Sequence, residues 1–351
     1  MKLILNKLKN KLAPEKVRVG VGLDIGSAAV KAVKLSFSGD RTELSDFAIY
    51  PVKLEPGSTL KEMLQSHPGI DEVNVAVSGT STIVRYVEFP SMQGSELKQA
   101  MKYEAEKLIP FPMADVDIDT YILKQGLPDN KMQVLLAAAK KEAIKQRLKM
   151  LEDAGLSAGV MDMETIALVN AFNFSYSEEE SVKKKTIAIL NIGSSFSNLN
   201  IVDSGQPRLS RDIHIAGENF TQKISEVFSV SRLKAEELKV DPAALQTAGG
   251  EADGKKMVAC VNSVLTNLAT EVRTSFDYFE SQNATSVEKI FLSGGGATFA
   301  GLDEMLSNLL GIAVEYWDPF RKVFIPENIG ASQLKSQSRS FAVALGLALR
   351  G

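Results

Sequence analysis

From residue 17 the apolar positions fall in short runs or alternate with polar ones: "VRVGVGLDIG", "AVKAVKLSFS" and "TELSDFAIYP", broken by Gly, Ser and Asp, predict a three-stranded antiparallel meander. A short helix around 58–66 and a strand, "EVNVAVS" at 72–78, follow. Residues 82–139 read as a separate block: a strand ("TIVRYVEFP"), a helix ("GSELKQAMKYEAEKLIPFP") and two strands ("DVDIDTYILKQ", "KMQVLLAAA") joined by a Pro-Asp-Asn turn. This predicts an inserted small α+β subdomain. Helical spacing resumes over 140–154 and stops at Gly155, and a strand near 158–161 feeds the helix "METIALVNAF". The polar stretch "SYSEEESVKKK" at 175–185 buries too little apolar area to be core, so it marks a seam between two lobes. At 186 the meander restarts, with strands at 186–191, 197–203 and 207–213 and helices near 217–229, 231–239 and 254–282. A final strand, "KIFLSGGGA", a helix at 298–310 and a closing helix at 337–349 complete the pattern.

The expected plan is therefore a basic segment (1–16), a first lobe (17–81 and 140–174) carrying the insert 82–139, the seam 175–185, and a second lobe (186–336) with a helical part at about 226–285. The last stretch, 337–351, is expected to return to the first lobe. A chain of 351 residues accommodates two cores, because single cores stop growing before this length.

Composition adds exclusions. A net charge of −3, from 40 basic and 43 acidic residues, offers no general field for nucleic acid. The lone Cys260 sits in an apolar helical pattern and forms no intrachain disulfide, which fits a small buried thiol and a reducing compartment. "FAVALGLAL" at 341–349 is about half the ~20 residues that span a bilayer. His67 and His214 have no acidic or cysteine cluster at ligand spacing, so a histidine zinc site is not expected. The N-terminal "MKLILNKLKNKLAPEK" puts Ile4, Leu5, Leu8 and Leu12 on one helical face with Lys7, Lys9 and Lys11 mostly opposite, until Pro14 ends the pattern. It is too short, and lacks the small-residue cleavage site, for a secretory signal. Two readings stay open: a weak contact with an anionic membrane surface, and a docking or frayed terminal helix.

The chemistry begins with a repeat. "VGLDIGSAAVKAVKL" at 21–35 returns as "IAILNIGSSFSNLNI" at 187–201, with Leu23-Asp24-Ile25-Gly26-Ser27 matching Leu190-Asn191-Ile192-Gly193-Ser194. Each copy ends a buried strand in a Gly-Ser turn, where glycine lets backbone N–H groups and hydroxyls approach an anion closely. Taken singly, either copy is equally an ordinary hairpin. A third element, "FLSGGGATFAGL" at 291–302, sets three glycines between a buried strand and a helix start. No G-x-x-x-x-G-K-[ST] occurs, and "SGGGA" lacks the spacing of a dinucleotide fingerprint. The three turns together predict a nucleotide held between two lobes.

With these motifs the chain resembles the actin-like ATPase superfamily, with phosphate turns at Asp24–Lys31 and Asn191–Ser197 and an adenosine motif at Ser293–Ala297. Within it, the chain is similar to the PilM family of type IV pilus assembly, through "LDIGSAAVKAVKL", "YEAEKLIPFP", "MDMETIALVNAF", "RDIHIAGENFTQKI", "AEELK" and "LSGGGA". The resemblance implies a two-lobed α/β fold of ribonuclease H-like plan with a duplicated core. It implies that Asp24 holds Mg²⁺ through water and that Gly26, Ser27 and Lys31 address the phosphates of ATP, with Gly193, Ser194, Ser195 and Ser197 closing from the other lobe. Gly217 is expected near the base, Glu236 and Lys239 on ribose and adenine, and Gly294, Gly295, Gly296 and Ala297 beneath the adenosine. Any Glu/Lys pair three apart is equally a solvated ion pair. Glu164 aligns with the water-orienting position; its rival reading is a carboxylate stabilised at a helix N-terminus. Strong ATPases of the superfamily carry Asp where this chain has Asn191, so Mg²⁺-ATP binding with slow or absent hydrolysis is expected.

The resemblance further implies a scaffold at the cytoplasmic face of the inner membrane, peripheral to it at most. Its partner would be the N-terminal tail of a PilN-like bitopic membrane protein, with pilus motor ATPases as further partners. The tail is expected beside block 82–139, where Tyr103, Leu108, Ile109 and Phe111 offer apolar surface or simply fill the local core. Two alternatives share the core: a filament-forming bacterial actin relative, and a phosphotransferase. The last needs a general base beside an acceptor pocket built by larger insertions.

Overall fold

The computed structural model describes residues 18–241 and 250–350. The reading of residues 1–16 falls outside the described residues. Strands β1 (Arg18–Ile25), β2 (Ala29–Ser38) and β3 (Arg41–Pro51) form the antiparallel meander. Strand β4 (Glu72–Val77) joins β1 in parallel and β8 (Ser157–Met163) joins β4 in parallel, giving the order β3-β2-β1-β4-β8.

The second sheet repeats the plan. Strands β9 (Thr186–Ile192), β10 (Ser197–Asp203) and β11 (Gln206–Ile213) reverse on one another, then β12 (Lys289–Ser293) adds in parallel to β9 and β13 (Ala313–Tyr316) to β12. Its order, β11-β10-β9-β12-β13, is that of the first sheet. Strand β13 corrects the expectation that "KIFLSGGGA" is the last strand: four residues alternate too briefly to register, and the partner strand is set by tertiary packing.

Between β4 and β8 in the chain, β5 (Thr82–Pro90), β6 (Val116–Leu127) and β7 (Lys131–Lys140) make a third sheet, β5-β7-β6. The helix Gly94–Leu108 lays Leu97, Met101 and Ala105, at helical spacing, on the alternate β7 residues Met132, Val134, Leu136 and Ala138. Strands β6 and β8 are both edge strands.

The expected closing helix 337–349 is instead a helix Ala331–Gln337, a 3₁₀ turn Ser338–Phe341 and a helix Ala342–Ala348. All seven residues of the last helix are buried, as a helix apolar on every side must be. It lies against β1 and the helix Glu164–Tyr176 at backbone contact distance. A Cβ at Gly22 would stand 2.0 Å from the Ala344 carbonyl oxygen, and one at Gly346 would stand 1.8 Å from that of Ala167.

The polar seam does not divide the core. Strand β9 sends Ala188, Leu190 and Ile192 into the core of the second lobe, and Ile187 and Ile189 into one shared with Leu35, Leu168 and Phe341. Phe172 of the first half contacts Phe291 and Trp317 of the second, with ring centroids 4.8 and 5.2 Å apart. The lobes thus share a base, and the two glycine turns lie where β1 and β9 end.

Candidate functional site

Asp24 and Lys31 are cross-strand partners on β1 and β2, and the Lys31 ammonium bonds the Asp24 carboxylate at 2.7 Å. The turn between them is closed by the Gly26 N–H on the Ala29 carbonyl (3.1 Å). The second turn copies it, with the Gly193 N–H on the Phe196 carbonyl (3.1 Å). The two turns face each other: the hydroxyls of Ser27 and Ser195 are exposed and lie 2.7 Å apart.

Two further glycine segments converge behind the second turn. Gly217, the first residue of the helix Gly217–Phe228, donates its N–H to the Gly193 carbonyl (2.9 Å), and the Gly296 N–H reaches the Ile192 carbonyl (2.8 Å). A Cβ at Gly296 would stand 2.2 Å from the Gly193 oxygen, and Gly294, at φ +99°, would place one 2.1 Å from the Ile192 oxygen. Only glycine permits this layering. Gly295 faces the Ser340 hydroxyl, and the Ala297 carbonyl accepts from the Tyr316 hydroxyl (3.0 Å).

Several expected roles change. The Ser197 hydroxyl is buried and donates to the Ile215 carbonyl (2.6 Å), so the alternation of β10 turns it away from the cleft. Lys239, 4% exposed, gives all three ammonium protons to the Gly217 carbonyl, Thr221 and Glu236. It is neither a solvated ion pair nor a free ligand group: it ties two helices together. Glu236 keeps about half its side chain exposed. Asn191 is buried and accepts a hydrogen bond from Ser293 Oγ (3.1 Å).

Glu164 opens the helix Glu164–Tyr176 and lines a cavity of about 330 Å³ with Ser78, Asn198, Asp212 and His214. The cavity leaves it some solvent, and protein encloses its other sides. Burial and the nearby charge of Asp24 push its carboxyl up to about 7, against a hydrogen bond from Ser78 and the charge of Lys31. Burial also raises Asp212, whose carboxylate accepts from the Asn198 amide. Sequence reasoning missed Arg147. From the helix Lys141–Asp153 its Nη1 donates to the Ile25 carbonyl (3.3 Å), and it feels the charges of Asp24 and Glu164. A basic residue in a lysine-rich amphipathic helix carries no local sign of that placement.

A larger cavity, about 760 Å³, runs between the edges of β6 and β8. Asp117, Asp119 and Tyr121 line one side, Leu135 and Ala137 of β7 its floor, and Ile166 the other side. The four residues expected beside the subdomain do not line it. Ile109, 4% exposed, belongs to the subdomain core, Leu108 and Phe111 pack on that core, and Tyr103, 77% exposed, points outward. Phe111 also borders the smaller cavity.

A family model described as type IV pilus assembly protein PilM matches residues 22–351. The chain belongs to the PilM family. A solved PilM-PilN type IV pilus biogenesis complex matches it at 28% identity and a TM-score of 0.81, over 94% of this chain and 98% of that one. The ethanolamine utilization protein EutJ from Carboxydothermus hydrogenoformans, 15% identical, matches at a TM-score of 0.54 over 100% of this chain and 97% of its own, a likeness of fold alone. The fold of this PilM-family chain is thus the two-lobed α/β actin-like one, with a duplicated sheet and an inserted third sheet. No helix among the described residues is long and apolar enough to cross a membrane.

Proposed function

We propose that the protein is a nucleotide-locked adapter of the pilus assembly platform. It would hold the N-terminal tail of a PilN-like membrane protein at the cytoplasmic face of the inner membrane and offer further surface to pilus motor ATPases. The observation that carries this reading is the groove between β6 and β8, where two unpaired strand edges flank an apolar floor. An extended peptide entering it gains main-chain hydrogen bonds from an edge and side-chain pockets from the floor. Asp117 and Asp119 on β6 favour a tail with basic as well as apolar residues.

The residues of the cleft fit a nucleotide with Mg²⁺. Ser27, Ser195 and Lys31 supply hydroxyls and an ammonium where the turns meet. Among the described residues no three acidic, His or Cys side chains are arranged to hold a metal by themselves. Asp24 alone suits Mg²⁺, which keeps its waters and takes phosphate oxygens for the rest. Bound there, the metal would neutralise phosphate charge. Asn191, an amide already engaged by Ser293, neither binds the metal as a carboxylate nor accepts a proton from water, so turnover would be slow or absent. The nucleotide would act by favouring the closed lobes.

Fluorescence anisotropy with a labelled synthetic tail tests the adapter role. Ala137→Trp fills the groove floor and is expected to weaken binding at least about tenfold, as lost anchor contacts do, while thermal melting stays near that of the parent. Unchanged affinity in a folded A137W protein would remove the groove from the proposal.

A further inference from the structure

Two carboxylates, Asp24 and Glu164, and two cations, Lys31 and Arg147, act on one another beside the first glycine turn. The second lobe adds Asn191, which has no charge. In the structure the Lys31 ammonium is held by Asp24 at 2.7 Å. Arg147 is placed differently. It arrives from a helix 122 positions away from Ile25, whose carbonyl takes one of its N–H groups at the base of the first glycine turn. Among the described residues that is its one hydrogen bond, so the rest of its planar fork of donors is free. Burial and both carboxylates act on it, and a guanidinium stays charged through such an environment.

We propose that Arg147 is a phosphate-binding residue of the nucleotide site that supplies the fixed positive charge beside the first glycine turn and makes triphosphate binding only weakly dependent on Mg²⁺. The inference rests on the nucleotide reading above. Were Mg²⁺ bound, Asp24 would hold it through water and Lys31 would be left to the phosphates. Without metal, Lys31 stays divided between Asp24 and the anion, and Arg147 is the cation left to offset the phosphate charge. Its guanidinium offers a bidentate face that a lysine at the same place would lack.

Calorimetric titration of ATP into the full chain, once with Mg²⁺ and once with EDTA, tests this. The parent is expected to lose less than about tenfold in affinity on removal of the metal. A charge-assisted hydrogen bond is worth about tenfold to a hundredfold in affinity. Arg147→Gln should therefore lose about tenfold with Mg²⁺ and about a hundredfold in EDTA, and Arg147→Lys should fall between parent and R147Q in EDTA. An equal loss in both media would show Arg147 to be merely structural and overturn the proposal, as would a parent that binds no ATP in EDTA. A parent that binds no ATP even with Mg²⁺ would instead sink the nucleotide reading itself. Should R147Q melt without nucleotide well below the parent, R147K carries the same comparison.

Discussion

Glu164 shows how place rather than identity sets a residue's chemistry. A carboxylate opening a helix is ordinarily stabilised in its charged form, yet burial and the charges of Asp24 and Asp212 outweigh the Ser78 hydrogen bond and Lys31, and its pKa rises from 4.5 to about 7. Between those values the folded chain binds more protons here than the unfolded chain, so this group's contribution to stability is present at low pH and is lost as pH rises to 7. Glu164→Gln removes the ionisable group. In urea unfolding at pH 5 and pH 8, E164Q should lose less stability between the two pH values than the parent, and a parallel loss would contradict the assignment. The repeat gave two matching turns, and they face each other at Ser27 and Ser195, because each turn follows directly from its own strand. Ser197 and Lys239 were misread for a common reason: spacing says which face a side chain is on, and only the neighbours say whether that face is free.

At the scale of elements, the most informative contact is that of the last helix with its neighbours. Ala342–Ala348 is pressed onto β1 at Gly22 and onto the Glu164 helix at Gly346. Backbone lies on the other side of each glycine, so no flexible side chain can yield. Gly346→Ala should destabilise the protein by about 1–3 kcal/mol, the usual cost of overpacking, read as a lower urea midpoint with unchanged slope. A helix propensity gain of about 1 kcal/mol works in the opposite direction, so a net stabilisation would show that the helix can shift outward. The apolar run at 341–349 predicted a buried helix; it begins only after a 3₁₀ turn, within which the Arg339 carbonyl accepts from the Gly294 N–H (3.0 Å).

Over the whole molecule, the lobes are joined below by a common core and above by hydrogen bonds across the cleft. Ser27 meets Ser195, and the Thr165 hydroxyl, next to Glu164, bonds Asn200 (2.6 Å) and Ser210 (2.5 Å) of the second sheet. Thr165→Val keeps the shape and leaves those partners without it, at a cost of about 1–3 kcal/mol. The substitution should speed proteolysis at the 175–185 seam and leave tail binding in the groove unchanged, since Thr165 does not line that cavity. A bound ligand at a hundred times its Kd adds about 2.7 kcal/mol of stability, so saturating ATP should offset the T165V loss in the same assay.

The amino-acid sequence by itself determined the duplicated sheets, the inserted subdomain, the glycine turns and the amide Asn191 where the first repeat has Asp24, because strands, turns and their chemistry are written in periods of two to four residues. Only the tertiary structure decided that Arg147 stands under the first turn, that Lys239 is closed off, and that β6 and β8 leave a groove between their edges. Those facts depend on which faces of separate elements meet, and a contact such as that of Arg147 with Ile25, 122 positions apart, leaves no periodic trace in either segment.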